Sequence, residues 1–310
     1  MVKKCKLGLG TLAISTLLSS HVMAGDWNGV LSASVGHDDN VTLADDSNTV
    51  ASDQKDNFLD VLGVASRYLN GNKDAGIHFT GVLYNREYDT EDNFNLLLTS
   101  LGLAYHKKLG SWHGRFGAKY DYIEYGDDPY QSIFTLTAEG RHKFNKSAEL
   151  RVRYSYFDIS SESSQFDNTE GDRHRIRVEG RFKQGGNRYR LSYTGETNDR
   201  EDSVRTATRF SSSSPVRHTL RANAQIPLNT KWSTEFDVRY RDSRYKDDNV
   251  SGGVSTRRND DRLKAKAELS YQVNKKTDVY VDYTRTENDS NISRFDYDRN
   301  EVSVGVNYLF

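Results

Sequence analysis

The last nine residues alternate without a break. Val302, Val304, Val306, Tyr308 and Phe310 fall on one side of an extended chain, and Ser303, Gly305 and Asn307 fall on the other with Glu301, because successive side chains of a β-strand point to opposite faces. The same period of two recurs upstream. Leu263, Ala265, Ala267, Leu269 and Tyr271 alternate with Lys264, Lys266, Glu268, Ser270 and Gln272. Trp232, Thr234, Phe236, Val238 and Tyr240 alternate with Ser233, Glu235, Asp237, Arg239 and Arg241. Such strands have one apolar and one wet face, and a chain made of them is all-β. With 28% charged residues and a mean hydropathy of −0.80, no stretch after the N-terminal region approaches the roughly 18 consecutive apolar residues of a transmembrane helix. A closed β-barrel escapes that requirement, because only alternate residues meet lipid. Nineteen Tyr, thirteen Phe and three Trp argue against disorder.

The N-terminus reads as a secretory signal peptide. Lys3, Lys4 and Lys6 form a basic start, Leu7 to Leu18 a short apolar run, and Val22-Met23-Ala24 a small-residue cleavage region. Residues 1–24 are therefore expected to be removed, leaving 25–310 as a single domain beginning at Gly25. Cys5 lies before the apolar run, so it is not the lipid-bearing Cys of a lipoprotein signal. The mature chain then has no thiol, no disulfide and no Cys-based metal site, and it carries 40 basic against 44 acidic side chains.

The aromatic-terminated last strand resembles the C-terminal signature of bacterial outer-membrane β-barrels. That resemblance implies recognition of Phe310 by the barrel-assembly machinery, with Val302, Val304, Val306 and Tyr308 completing the signal. It also implies an integral location among outer-membrane lipid and lipopolysaccharide. Turn chemistry supports a barrel independently. Short turns recur at Leu69–Asn72, Lys108–Gly110, Phe144–Ser147, Gln184–Asn187, Leu228–Lys231 and Val273–Lys276. Longer polar segments lie between them: Asp38 to Asp56, Tyr88 to Asn93, Gly126 to Gln131, Ser160 to Gly171, Asn198 to Ser214, Ser243 to Asp260 and Asn288 to Asp296. Six turns and seven loops join fourteen antiparallel strands, with both termini on the short-turn, periplasmic side and the long loops outside. The strand around Asn57 to Leu69 has apolar residues on both faces, which leaves its register open.

Trp27, Trp112 and Trp232 each stand near the start of an ascending strand, where an amphipathic ring suits the membrane interface. Tyr122, Tyr154, Tyr193, Tyr240 and Tyr283 lie toward the opposite strand ends and form a candidate outer belt. Pro129, Pro215 and Pro227 fall in loops, turns or strand ends, where a missing N–H breaks no ladder bond.

The inward positions carry the candidate functional wall. Its basic members are Arg115, Lys119, Arg141, Arg151, Arg153, Arg175, Arg177, Arg190, Arg217, Arg221, Arg239, Arg241, Lys264 and Lys266, with Lys143, Arg181 and Lys183 nearer the ends. Fewer carboxylates oppose them, among them Glu139, Glu179, Glu196, Glu235, Asp237 and Glu268. Two readings stand. The charges pair across strands and keep a hydrated interior rigid, or their basic excess attracts an anionic solute or polymer. The outer loops are acidic by contrast, with Asp38, Asp39, Asp45, Asp46, Asp53 and Asp56 around the first; these read as a solvated surface rather than a divalent-cation site.

Catalysis is not expected. The His residues at 37, 78, 106, 113, 142, 174 and 218 are scattered over different strands, with no nucleophile and base at a shared wall position. Phosphate-loop, zinc and EF-hand spacings are absent from the sequence, so no cofactor, metal or nucleic-acid partner is implied. Ser34-Val-Gly-His-Asp-Asp-Asn-Val-Thr-Leu-Ala44 is similar to the stretch that opens the barrels of surface lipoprotein assembly modifiers and of exopolysaccharide-associated export proteins, with His37 in place of the usual Tyr. The resemblance implies a conduit for an anionic or surface-directed substrate such as exopolysaccharide, or else a lipoprotein-translocating barrel. A periplasmic partner would then supply cargo recognition. A non-conducting structural or adhesive barrel is the third alternative.

Overall fold

The computed structural model describes residues 27–43, 54–163, 170–206, 209–251 and 253–310. The expected signal peptide with Cys5, and Asp45, Asp46 and Asp53 of the first loop, lie outside them. The described strands run in chain order as β1 (Asn28–Asp38), β2 (Asp56–Gly71), β3 (Ala75–Tyr88), β4 (Leu96–Leu109), β5 (Trp112–Tyr125), β6 (Asp128–Lys143), β7 (Ala148–Ser161), β8 (Gly171–Gln184), β9 (Asn187–Arg200), β10 (Ser203–Thr206), β11 (Arg209–Ser211), β12 (Pro215–Pro227), β13 (Trp232–Ser251), β14 (Val254–Gln272), β15 (Thr277–Ser290) and β16 (Tyr297–Leu309). Fourteen of them form the barrel: β1 to β9 and β12 to β16, each antiparallel to its neighbours, with β12 beside β9 and β16 closing on β1. The short pair β10–β11 is an outer hairpin that adds to the far end of β13.

All six expected short turns are present, and their chemistry is repetitive. Asn145, Asn229 and Asn274 each accept, through the side-chain oxygen, the N–H two residues on, at 2.7–2.8 Å. Asn72 does the same for Asp74 at 2.9 Å. These Asx turns mimic a backbone turn and fix the strand offset. In the β8–β9 turn, Gly185 and Gly186 both have positive φ, as a two-residue hairpin turn requires.

Two of the seven expected loops prove to be something else. Gly126 to Gln131 is a tight hairpin whose two central residues, Gly126 and Asp127, have φ of 60° and 65°; its run of Asp and Pro gave the appearance of a longer loop. Ser243 to Asp260 is paired strand. β13 and β14 run 20 and 19 residues and stay paired, past a register shift between Arg244 and Asp248, to Ser251 opposite Val254. Polar residues on both faces hide this extension from a reading by alternation. Asp248, bonded to Ser255 at 2.7 Å and to Arg257 at 3.2 Å, helps hold the arms together. The open register of β2 resolves as well: Phe58 and Asp60 point inward and Leu59 outward, so Leu62 and Val64 face the lumen.

The seam between β1 and β16 is built from glycine and aromatic residues. A Cβ on Gly29 would lie 2.4 Å from the Phe310 ring, one on Gly36 2.3 Å from Phe58, and one on Gly305 2.5 Å from Tyr280. Each ring therefore lies on bare backbone of a seam strand, an arrangement that shields and packs edge glycines. Phe310 also exchanges backbone hydrogen bonds with Gly29, at 3.0 and 3.2 Å. At the outer end of the seam Asp38, fully buried, accepts from Arg299 Nε at 2.9 Å and from Tyr88 Oη at 2.9 Å, and Arg299 Nη2 completes a bidentate pair. Asp39 accepts from the Asn300 backbone and side chain at 2.6 and 2.7 Å, and the Asn40 amide donates to the Asp298 carbonyl at 2.7 Å. The Asp-Asp-Asn of the opening motif is thus the stitch that ties the first strand to the last.

Outside, Val302, Val304, Val306 and Tyr308 are all exposed along β16, as are Phe236, Val238 and Tyr240 on β13. Trp112 and Trp232 are exposed at the short-turn edge, and Trp27 packs edge-on against Phe79 with Arg67 5.3 Å from its ring. Four of the five expected outer Tyr share one diagonal. Tyr154 bonds His174, Tyr193 bonds His218, Tyr240 bonds Asp261 and Tyr283 bonds Asn300, at 2.6–2.8 Å. Every partner sits two residues outward of the residue directly opposite the Tyr. Tyr122, opposite Ser132, has no such hydrogen bond among the described residues.

Asp38→Ala strands the part-buried Arg299 and the Tyr88 hydroxyl, and breaking a buried pair in this way costs about 3 kcal/mol. The expected result is a lower urea midpoint for the refolded barrel, with an unchanged denaturant slope. Removing Phe310 exposes Gly29 and takes away the terminal aromatic residue; heat-modifiable folded protein in the outer-membrane fraction should fall several-fold.

Candidate functional site: an arginine-lined lumen

Alternation decides which side chains enter the barrel, and on β5 to β9 and β12 to β14 it delivers arginine. All fourteen basic residues expected on the lumen wall lie inside. Arg115, Arg141 and Arg151 line a vestibule at the short-turn end, of about 470 Å³. Lys119, Arg153, Arg175, Arg177, Arg217, Arg221, Arg239 and Arg241 line a chamber of about 440 Å³ farther in. Arg190 joins Arg181 in a waist of about 150 Å³. This waist shares Glu139 and Arg151 with the vestibule, and Arg153, Arg177 and Arg221 with the chamber, so the three spaces form one file. On β14, Lys266 pairs with Glu268 at 3.1 Å and Asp282 at 3.5 Å, and Lys264 lies in the field of Glu301, Arg299, Arg239 and Arg86.

The chamber lining holds nine Lys and Arg and one carboxylate, Glu196. Arg175 reaches Glu196 at 2.7 Å and Arg217 at 3.2 Å, while the Asn198 amide donates to it at 2.9 Å. Arg173 and Arg175 stack over the Phe157 ring at 4.0 and 4.7 Å, a cation–π arrangement that fixes their planes. Arg173, Arg239 and Arg241 have no side-chain hydrogen bond or ion pair among the described residues, and Nε of Arg173, Arg177, Arg217 and Arg241 is buried without a partner. The guanidinium ends of Arg173, Arg239 and Arg241, which no carboxylate among the described residues neutralises, are what an entering anion would meet on this concave positive wall. The waist is more evenly matched. Arg177 and Arg181 clamp Glu179 at 2.6 and 2.5 Å, and Arg153 holds Glu139 through Nε at 2.7 Å.

The opposite wall differs. Inward positions of β1, β2 and β4 are mostly small or apolar, including Ser34, Leu62, Val64, Ser100 and Ala104. Charge returns there only toward the outer end, where Arg86 bridges Asp60 and Glu301 at 2.7 Å each and stacks on Phe58 at 3.9 Å. Sequence alternation leaves Arg86 unassigned because the register of its neighbour β2 is open. It also missed Arg173, Arg262 and Arg299, each two residues outward of an inward position already recognised. Continuing the alternation one step toward the loop would have found them.

The histidines do not gather into a catalytic set. His78 and His106 stack with Tyr68 in the vestibule, His113 contacts Asp74 at 3.3 Å, His142 packs on Trp112, and His174 and His218 belong to the outer Tyr belt.

A family described as "Putative beta-barrel porin 2" matches residues 193–310, from within β9 to the C-terminus. The fold is similar to that of an anion-selective porin from Comamonas acidovorans, at a TM-score of 0.53 and 8% identity over 92% of this chain and 98% of the other. It is also similar to a loop-deletion mutant of OmpT, an outer membrane protein of Vibrio cholerae, at 0.50 and 10% over 92% and 98%. At these identities the likeness is one of fold: a closed porin-like barrel of the outer-membrane kind. No curated protein matches the sequence.

Glu196→Gln removes the one carboxylate of the chamber wall and leaves Arg175 and Arg217 facing each other's charge. A loss of about 2 kcal/mol is expected, the scale of hydrogen bonds to charged groups, and a shifted urea midpoint measures it.

Proposed function

We propose that this protein is a passive outer-membrane conduit for anionic solutes, including acidic polymers bound for the cell surface. After loss of residues 1–24, the chain from Gly25 inserts as one domain with the help of the barrel-assembly machinery and sits among lipopolysaccharide. The observation that carries the reading is the chamber: of its nine basic side chains, Arg175 and Arg217 share Glu196, Lys119, Arg153, Arg177 and Arg221 pair with Asp121, Glu139, Glu179 and Asp237, and Arg173, Arg239 and Arg241 have no ion pair among the described residues. A wall evolved only for rigidity would match its charges, as the waist comes closer to doing; an excess held in fixed orientation by Phe157 and Glu196 instead creates a standing positive field. In a low-dielectric tube that field is felt across the lumen, and it favours anions over cations. Exopolysaccharide is the substrate that the first-hairpin resemblance adds. The same Asp-Asp-Asn stretch serves barrel closure here, so the resemblance is also accounted for without a shared cargo.

The plugged or purely structural alternative is favoured by the pairing around Glu139 and Glu179, and conductance separates the two. Reversal potentials in planar bilayers under a salt gradient should be those of an anion-selective pore. Replacing Arg175, Arg177, Arg217 and Arg221 with Glu should invert the sign. Cation selectivity of the unmodified barrel, or a folded barrel with no conductance, removes the proposal.

A further inference from the structure

Charge is segregated along the barrel axis as well as around its wall. The seven outer connections carry fourteen Asp and Glu against four Lys and Arg. The six short turns carry five lysines, at positions 73, 146, 231, 275 and 276, against Asp74 alone. The basic end continues inward. Lys73, Lys108 and Lys143 line the vestibule, and Lys143, Lys146 and Lys183 line an adjoining space of about 640 Å³ on the turn rim. These lysines are exposed, whereas Arg115 just inside them is half-buried with Nε unpartnered.

We infer that the short-turn mouth is a capture site for linear polyanions, so that the barrel loads its substrate from the periplasm rather than from outside. The inference rests on the anionic-conduit reading and adds to it where, and by which groups, the polymer is first held. A multivalent chain approaching from the periplasm meets exposed lysines, then the vestibule, then the Arg-rich waist and chamber, a path on which Asp74, Glu139, Glu149 and Glu179 are outnumbered by Lys and Arg. One approaching from outside meets a strongly acidic rim first. Charged clefts of this kind raise capture rates by about ten-fold to a thousand-fold. The effect is kinetic: a passive channel cannot set the equilibrium, but a chain present on one side is trapped at the rate of its encounter with that side.

Lysine suits capture better than arginine does, because its ammonium is a mobile point charge that does not hold one geometry. Arginine takes over along the waist and chamber, where orientation matters. The substrate class follows from the length of the file, since a monovalent ion needs no series of basic stations. Phosphate and carboxylate repeats would engage the same donors, and the test uses an inorganic member.

Single barrels in a planar bilayer are blocked with inorganic tripolyphosphate added to one side and then the other. Orientation is read from a Ser111→Cys barrel in the β4–β5 turn, labelled with a thiol-reactive polymer too wide for the lumen; the mature chain has no other cysteine. In 0.1 M salt, blockades should be at least about ten-fold more frequent with the probe on the short-turn side. At 1 M salt, where screening shortens to about 3 Å, the difference should collapse. Changing Lys73, Lys108, Lys143 and Lys146 together to Gln should remove most of the asymmetry. Equal blockade from both faces, more frequent blockade from the loop side, or an asymmetry untouched by the lysine changes overturns directional capture. Anion selectivity is read separately from reversal potentials, so a pore that is anion-selective but symmetric refutes the capture site and leaves the conduit reading standing.

Discussion

Every peptide group of this chain that crosses the hydrocarbon must find its hydrogen bond within the protein, because lipid offers none. For a sheet that condition is met only when the two edges are joined. The β1–β16 seam is therefore the interaction on which the rest depends. Its composition follows. Gly29, Gly36 and Gly305 let aromatic rings lie flat on the backbone, and the apolar half of the terminal strand completes the lipid face. The polar half of the problem is solved at the outer rim, where Asp38, Asp39 and Asn40 bond to β16.

Closure in turn creates an interior that can hold charge. A guanidinium facing lipid would be costly, whereas the same group one residue along the strand sits in a shared polar lumen. This explains how a hydrophilic chain forms a membrane barrel. It also explains why the basic wall is arranged as rows: Arg173, Arg175, Arg177 and Arg181 on β8 can all be inward only because they keep one parity. Within the rows, distribution matters more than number. The waist matches its glutamates closely, the chamber does not, and the small side chains across from them leave room for whatever the arginines face.

Much of this was legible in the sequence because strand alternation is a direct consequence of backbone geometry. The fourteen strands, the six turns and all fourteen basic wall residues follow from counting parity between Asn- and Gly-containing turns. Parity fails where both faces share a character. Leu59, Val61, Leu62 and Val64 are apolar on both sides, so Arg86 and its bridge to Asp60 and Glu301 stayed hidden. The β13–β14 extension is polar on both sides, so it looked like a loop. Pairing between cavities, such as the clamp on Glu179, depends on which strands become neighbours at which offset, and single-chain periodicity contains no such information. The diagonal Tyr bonds were half visible: the belt could be placed, but its partners required the register.

Asp38 has a consequence for how the molecule comes together. Its main partner, Arg299, lies 261 residues away in the chain, and no partial sheet lacking the last hairpin can offer that guanidinium. Until both ends of the polypeptide arrive, the carboxylate and Arg299 each lack their principal counter-charge at the edge of a growing sheet. Half-built barrels are thereby penalised at the very site where they would otherwise join edge to edge with another copy. Joining β1 to β16 forms the charge pair, the glycine–aromatic packing and the last row of backbone bonds of the wall together, so the finished fourteen-stranded wall has no open edge from which to unravel.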